Sequence, residues 1–135
     1  MATFGIVVNP ANGAAAGQRI DVILDNVRAE NGSRGGVFGS NVRAMVNRSV
    51  FSGNSAAGIV AGTSFGAVEV NISGSVFSGN AVGVGNGGGA ATIRIANSDI
   101  TFNDTALSGA TQSYGNNRVD GNGALGTAPS TISLR

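Results

Sequence analysis

Ser49-Val50-Phe51-Ser52-Gly53-Asn54 returns unchanged as Ser75-Val76-Phe77-Ser78-Gly79-Asn80, 26 residues further along the chain. An identical hexapeptide at that separation marks a repeated structural unit, which has to be settled before any other feature. Asn103 and Asn122 close comparable stretches, and Asn31-Gly32 fills the same place earlier, giving intervals of about 19 to 26 residues. The first unit aligns best when Gly32, not Asn31, is matched to Asn54.

Each unit carries the same three elements. Upstream of the Asn anchor lies a stretch with alternating apolar residues: Ile20-Val22-Leu24, Val42-Ala44-Val46, Val68-Val70-Ile72, Ala91-Ile93-Ile95 and Gln112-Tyr114. That period of two marks strands buried on one face. A second short strand holds Val27 and Ala29, then Ser49 and Phe51, Ser75 and Phe77, Ser98 and Ile100, and Asn117 and Val119. After the anchor comes a third apolar point behind a Gly or Ala: Val37, Ile59, Val84, Leu107 and Leu125. Ile6, behind Gly5, is the same point of an incomplete first unit. Three short strands per unit, bent by Gly, Asn and Ser, describe the rung of a parallel β-helix. Like positions then stack in columns about 4.8 Å apart. One column reads Leu24, Val46, Ile72, Ile95 and Tyr114, and another Ala29, Phe51, Phe77, Ile100 and Val119. Val50 and Val76 face outward, because Asp99 and Arg118 hold their place in later rungs and charges are costly to bury.

Composition fits one domain. The chain has 135 residues, 41% of them hydrophobic, with 23 Gly and two Pro, too little Pro for a Pro-rich disordered chain. Residues 1–17 read as a partial rung and loop, 18–126 as repeated rungs and 127–135 as a C-terminal strand. A net charge of +1 and a charged content of 11% leave no basic tract, so nucleic acid is not an expected partner. No run approaches the ~20 apolar residues of a membrane helix, and the first 20 residues show no signal-peptide pattern. The charges stack by sign: Asp21, Arg43 and Glu69 share one outward column, Asp99 and Arg118 another. These pairs set register. The Asn column reads as a turn-stabilising ladder of amides.

The Ser-Val-Phe-Ser-Gly-Asn units, Gly58-Ile59-Val60 and Ser113-Tyr114-Gly115-Asn116-Asn117-Arg118-Val119 resemble the right-handed parallel β-helix repeat proteins, the pectin-lyase-like architecture and its uncharacterised bacterial members. The resemblance runs from about Phe4 to Thr131-Ile132-Ser133-Leu134. It implies the right hand, which the chirality of parallel crossovers also favours. It implies secretion or a cell-surface location. Such proteins usually carry a helical N-terminal cap. This chain starts in mid-rung, so it resembles the C-terminal rungs of a longer protein.

The polysaccharide-cleaving chemistry of that architecture is poorly matched. Lyases use a basic residue with Ca²⁺ or a cationic cluster, and the seven acids here are dispersed. The hydrolase pattern of Asn-Thr-Asp and Gly-His-Gly is absent: Asn103-Asp104-Thr105 has another order, and there is no His. Asp104 and Asp120 are the best carboxylate pair for acid–base work. Without Cys or His, thiol nucleophiles, Ser-His-Asp triads and zinc sites fall away. Gly85-Asn86-Gly87-Gly88-Gly89 lacks the lysine and following helix of a phosphate loop and reads as a rung-to-rung connection. The threonines do not fall in one column, which argues against an ice-binding face.

The expectation is therefore a non-catalytic scaffold or binding module with no cofactor or metal. Two surfaces are candidates. Phe65, with the outward Val50 and Val76, offers a ligand surface for a carbohydrate. Ile6 and Val8 at one end and Ile132 and Leu134 at the other are candidate assembly ends, giving a homo-oligomer through the solenoid termini.

Overall fold

The computed structural model describes residues 3–9, 18–62 and 66–133. The chain enters through β1 (Phe4–Val8) and then winds through five turns of three strands. These are β2 (Ile20–Asp25), β3 (Arg28–Glu30) and β4 (Arg34–Phe38), then β5 (Val42–Asn47), β6 (Val50–Ser52) and β7 (Ala57–Ala61). The third turn holds β8 (Ala67–Ser73), β9 (Val76–Ser78) and β10 (Val82–Asn86), and the fourth β11 (Ala90–Ala96), β12 (Asp99–Thr101) and β13 (Thr105–Ser108). The last comprises β14 (Gln112–Ser113), β15 (Arg118–Asp120) and β16 (Ala124–Gly126), with β17 (Ser130–Thr131) beyond it. No helix occurs among the described residues. Successive turns lie on one another, so three parallel sheets form: β2-β5-β8-β11-β14-β17, β3-β6-β9-β12-β15 and β1-β4-β7-β10-β13-β16. The fold is a parallel β-solenoid, as the repeat requires.

The core is a set of stacked columns. Ala44, Val70 and Ile93 form one, and Val46, Ile72 and Ile95 another, each nearly or fully excluded from solvent. Ala29 pairs with Phe51, Phe51 with Phe77 and Phe77 with Ile100. The Phe51 and Phe77 rings lie 5.3 Å apart with a 6° interplanar angle. Such an offset pair adds about 0.5–1.5 kcal/mol beyond its area burial. The rings also explain the glycines beside them. A Cβ on Gly58 would meet the Gly83 carbonyl oxygen at 2.6 Å and Phe77 at 3.0 Å, so the phenyl column needs a glycine column next to it.

Two corners of each turn are held by polar ladders. At the corner after the second strand, Asn54, Asn80 and Asn103 are buried. Each donates from Nδ2 to the Oδ1 of the next Asn, at 2.9 Å for Asn54 to Asn80 and 3.0 Å for Asn80 to Asn103 and Asn103 to Asn122. The same Oδ1 accepts the backbone N–H of the preceding anchor, and Nδ2 also reaches the carbonyls of Ala29, Phe51, Phe77 and Ile100. Gly32 ends the ladder by donating its N–H to Asn54, which places it where the alignment expected. The other corner uses hydroxyls: Ser49 N–H donates to Ser75 Oγ, Ser75 N–H to Ser98 Oγ and Ser98 N–H to Asn117 Oδ1. The residue before each Asn anchor takes a left-handed backbone: Gly53 (φ 64°), Gly79 (φ 68°), Phe102 (φ 60°) and Gly121 (φ 65°). Glycine adopts this at no steric cost, whereas a side chain carries roughly 1–2 kcal/mol of strain.

Three column assignments differ from the expectation by one residue. Ser113, not Tyr114, pairs with Ile95. Gly36, not Val37, pairs with Ile59, leaving Val37 opposite the outward Val60. Gly126, not Leu125, pairs with Leu107, and Leu125 is 46% exposed. Because side chains alternate across a strand, a slip of one residue exchanges the inward and outward sets. Among the described residues of the C-terminal segment, β17 spans Ser130–Thr131.

Candidate functional site

Any ligand must meet the outward faces of the three sheets. On the first sheet, Asp21 pairs with Arg43 and Arg43 with Glu69, as the charge alternation implied. Ion pairs run along and across this face: Arg19–Asp21 at 3.0 Å, Arg43–Asp21 at 3.9 Å and Arg94–Glu69 at 3.6 Å. Beside them the column Ile23, Met45, Asn71 exposes two aliphatic side chains. An open depression of about 210 Å³ lies here, lined by Asp21, Ile23, Arg43, Met45, Glu69 and Asn71. The outer face of the third sheet is almost without charge. Its shallower depression of about 160 Å³ is lined by Val60, Val82 and Asn86, with Arg34 at its margin.

On the second sheet Val50 and Val76 stand side by side, outward and half-buried, followed by Asp99 and Arg118. Arg118 reaches Asp99 at 3.2 Å. Phe65, their expected companion, and Leu134 both lie outside the described residues. At the corners, Arg48 grips Asp25 through two guanidinium nitrogens, and the pairing holds the Asp25 carboxyl below the usual range. Glu30 is lowered likewise, by hydrogen bonds from Arg28 (2.6 Å) and Ser52 (2.8 Å). These pairs are solvent-exposed, so each contributes little beyond register.

Five of the seven acids, Asp21, Asp25, Glu30, Glu69 and Asp99, therefore have an Arg partner. Asp104 and Asp120 have none among the described residues. The register sets Asp120 opposite Thr101, while the Asp104 carbonyl accepts from Ala124 N–H, so the anchor Asn122 separates their places on the rung. Among the described residues, no three His, Cys, Asp or Glu side chains converge as a metal site would require. Phe102 is a feature that reading for buried strands passes over. It is 72% exposed and stands where neighbouring turns have glycine, its ring lying over Gly121. The signal was present in the sequence, as an aromatic in a glycine column.

The two ends differ. At the first turn the edges are β1, β2 and β3, and the inward side chains are Ile6, Val8, Val22, Leu24 and Ala29. Ile20, which pairs with the fully buried Val42, is 37% exposed, β2 being the outermost described strand of its sheet. At the last turn the edges are β15, β16 and β17, of three, three and two residues. Here Ile95 gives way to Ser113, Ser98 to Asn117 and Leu107 to Gly126. Asn117 Nδ2 closes over this end, donating to Ser113 Oγ at 2.9 Å and to the Ile95 carbonyl at 2.8 Å. Ile132 is half-buried beyond β17 and donates its N–H to the Ser113 carbonyl.

No known protein family, curated protein or solved structure matches the chain.

Proposed function

We propose that this chain is a non-catalytic β-solenoid scaffold that associates with further copies of itself through the ends of the coil. The observation that carries this reading is the distribution of unpaired backbone. Among the described residues, every interior strand is hydrogen-bonded on both edges, and edges without a neighbouring strand belong to the outermost strands of the three sheets. Unpaired N–H and C=O rows beside apolar side chains are templates for another strand. The pairing of most acids with Arg supports a structural role for the charges. Light scattering coupled to size-exclusion chromatography tests it: mass rises with concentration. A constant monomer mass from low micromolar to millimolar protein rejects it.

A second reading is glycan binding or cleavage in the manner of pectin-lyase-like helices, favoured by the open depression beside Asp21, Arg43, Glu69 and Asn71. Incubation with polygalacturonate separates the two. Unsaturated products or new reducing ends support cleavage, and retention on the polymer without products supports binding.

A further inference from the structure

Gly85 is a glycine that the fold itself does not require. Its backbone is not left-handed, and a Cβ there would meet no atom beyond its chain neighbours closer than 3.6 Å. Gly83 differs: its Cβ would meet the Ala106 carbonyl oxygen at 2.7 Å. No bulge accounts for Gly85 either, since the ladder runs evenly through its pairs with Val60 and Ser108. A glycine inside a regular strand gives up side-chain packing and chain entropy, and marks a place where another group comes close. Gly85 lies in the depression of about 160 Å³ on the outer face of the third sheet, between Val60 and Val82. Gly87 extends the same floor and is equally unconstrained, with a Cβ no nearer than 3.6 Å to its surroundings.

One end of the depression carries a charge. Arg34 lines it, and is the one charged residue on the strands of this sheet. It is also the one arginine among the described residues without an acid partner, since Arg19, Arg28, Arg43, Arg48, Arg94 and Arg118 each hold a carboxylate. Its guanidinium carbon lies over the Phe4 ring, 5.7 Å from the centre. That contact uses the face of the guanidinium, and the N–H fork at its edge suits a carboxylate. From Arg34 the pairing runs through Ala57 to Val82, and from Val60 through Gly85 to Ser108. Three steps between turns span ~14 Å of uncharged surface. We propose that this groove binds the carboxylate of an unbranched hydrocarbon chain, its head group on Arg34 and its tail across Ala57, Val60, Val82 and Gly85. Both valines would touch a Cβ on Gly85, at 3.6 and 3.8 Å, so the gap is one carbon chain wide. A small anion finds only Arg34 and a neutral hydrocarbon only the groove, whereas an amphiphile uses both. The site is on the side of the coil and owes nothing to association of its ends.

Isothermal titration calorimetry on the full chain tests this, with decanoate below its micellar concentration as the probe and decanol and acetate as controls. Decanoate is expected to bind at a single site per chain. Decanol and acetate should each bind at least about tenfold more weakly, one lacking the charged hydrogen bonds and the other the buried hydrocarbon. Arg34→Gln is expected to weaken decanoate about tenfold and leave decanol unchanged, with Arg34→Lys recovering part of the loss. Gly85→Leu places its side chain in the groove and is expected to abolish decanoate binding without lowering the urea midpoint. Absence of saturable decanoate binding, by calorimetry and by valine methyl chemical shifts, overturns the proposal. So does decanol binding as tightly as decanoate, or decanoate binding that Arg34→Gln leaves intact. A stable Gly85→Leu chain that still binds overturns it as well, and the Arg34 variants decide the matter should that chain be unstable.

Discussion

The middle turns and the last turn are built from the same three-strand plan, yet they hold different kinds of interior. Around Phe51 and Phe77 the inward hydrophobic side chains are nearly or fully excluded from water, the rings stack, and each buried amide has partners above and below. In the last turn the equivalent places hold Ser113, Val119, Asn122 and Gly126, half-buried or exposed. Nearest-neighbour stacking is the reason. A rung in the middle receives burial from two sides and a terminal rung from one, so only the middle can bury large hydrocarbon fully. Polar groups at the end cost less because they stay within reach of water.

Substitutions in the two regions should therefore differ in size. Phe77→Ala removes a wholly buried ring from the centre and is expected to destabilise by about 3–5 kcal/mol. Val119→Ala, in the same column at the end, should cost ~1 kcal/mol, as read from urea unfolding midpoints. Equal losses would show that the last turn buries its column as fully as the middle does. Asn80→Ala comes next. It strips partners from the Asn54 N–H, the Asn54 side-chain amide and the Phe51 carbonyl, for an expected loss of about 2–3 kcal/mol. Asn122→Ala at the wetter end should lose about 1 kcal/mol.

Thr111 sharpens the contrast from the opposite direction. Its hydroxyl is buried without a hydrogen-bond partner among the described residues, at the start of the last turn, next to the Arg94–Gln112 pair. Thr111→Val keeps the shape and removes the unpaired group, so a gain of about 1 kcal/mol in chemical denaturation is expected. A loss would mean that the hydroxyl has a partner in solution.

The smallest effect concerns acid. Asp25 and Glu30 have folded pKa values below their unfolded ones, because Arg48 and Arg28 stabilise the carboxylates. Their contribution is complete above the unfolded value, near pH 4, and disappears as pH falls through the lowered folded values. Urea midpoints should drop in that window, and Arg48→Gln should flatten part of the drop. Added salt should flatten it as well, since both pairs face solvent.

Much of this architecture was legible in the residues. The repeated hexapeptide put Phe51 on Phe77, the alternation of Val42-Ala44-Val46 and Val68-Val70-Ile72 chose the inward faces, and Asp21-Arg43-Glu69 and Asp99-Arg118 were read as columns. The buried Asn ladder was legible too, since an identical amide at every turn has few other uses. The register of the outermost turns was not. Tyr114, Val37 and Leu125 were the natural apolar choices, and Ser113, Gly36 and Gly126 hold those places instead.

That the chain coils with three strands per turn follows from the residues, because a period of two within strands and about 23 residues between anchors admits little else. The register of the outer turns came only from the tertiary structure. A column position is defined by the hydrogen bonds of the strand beside it. At the outermost turns, with a neighbour on one side only, apolar alternation is too weak to choose between registers one residue apart. At the last turn the corners carry the difference: the Asn117 side-chain amide donates to Ser113 Oγ, and Gly121 has no Cβ to meet the Phe102 ring.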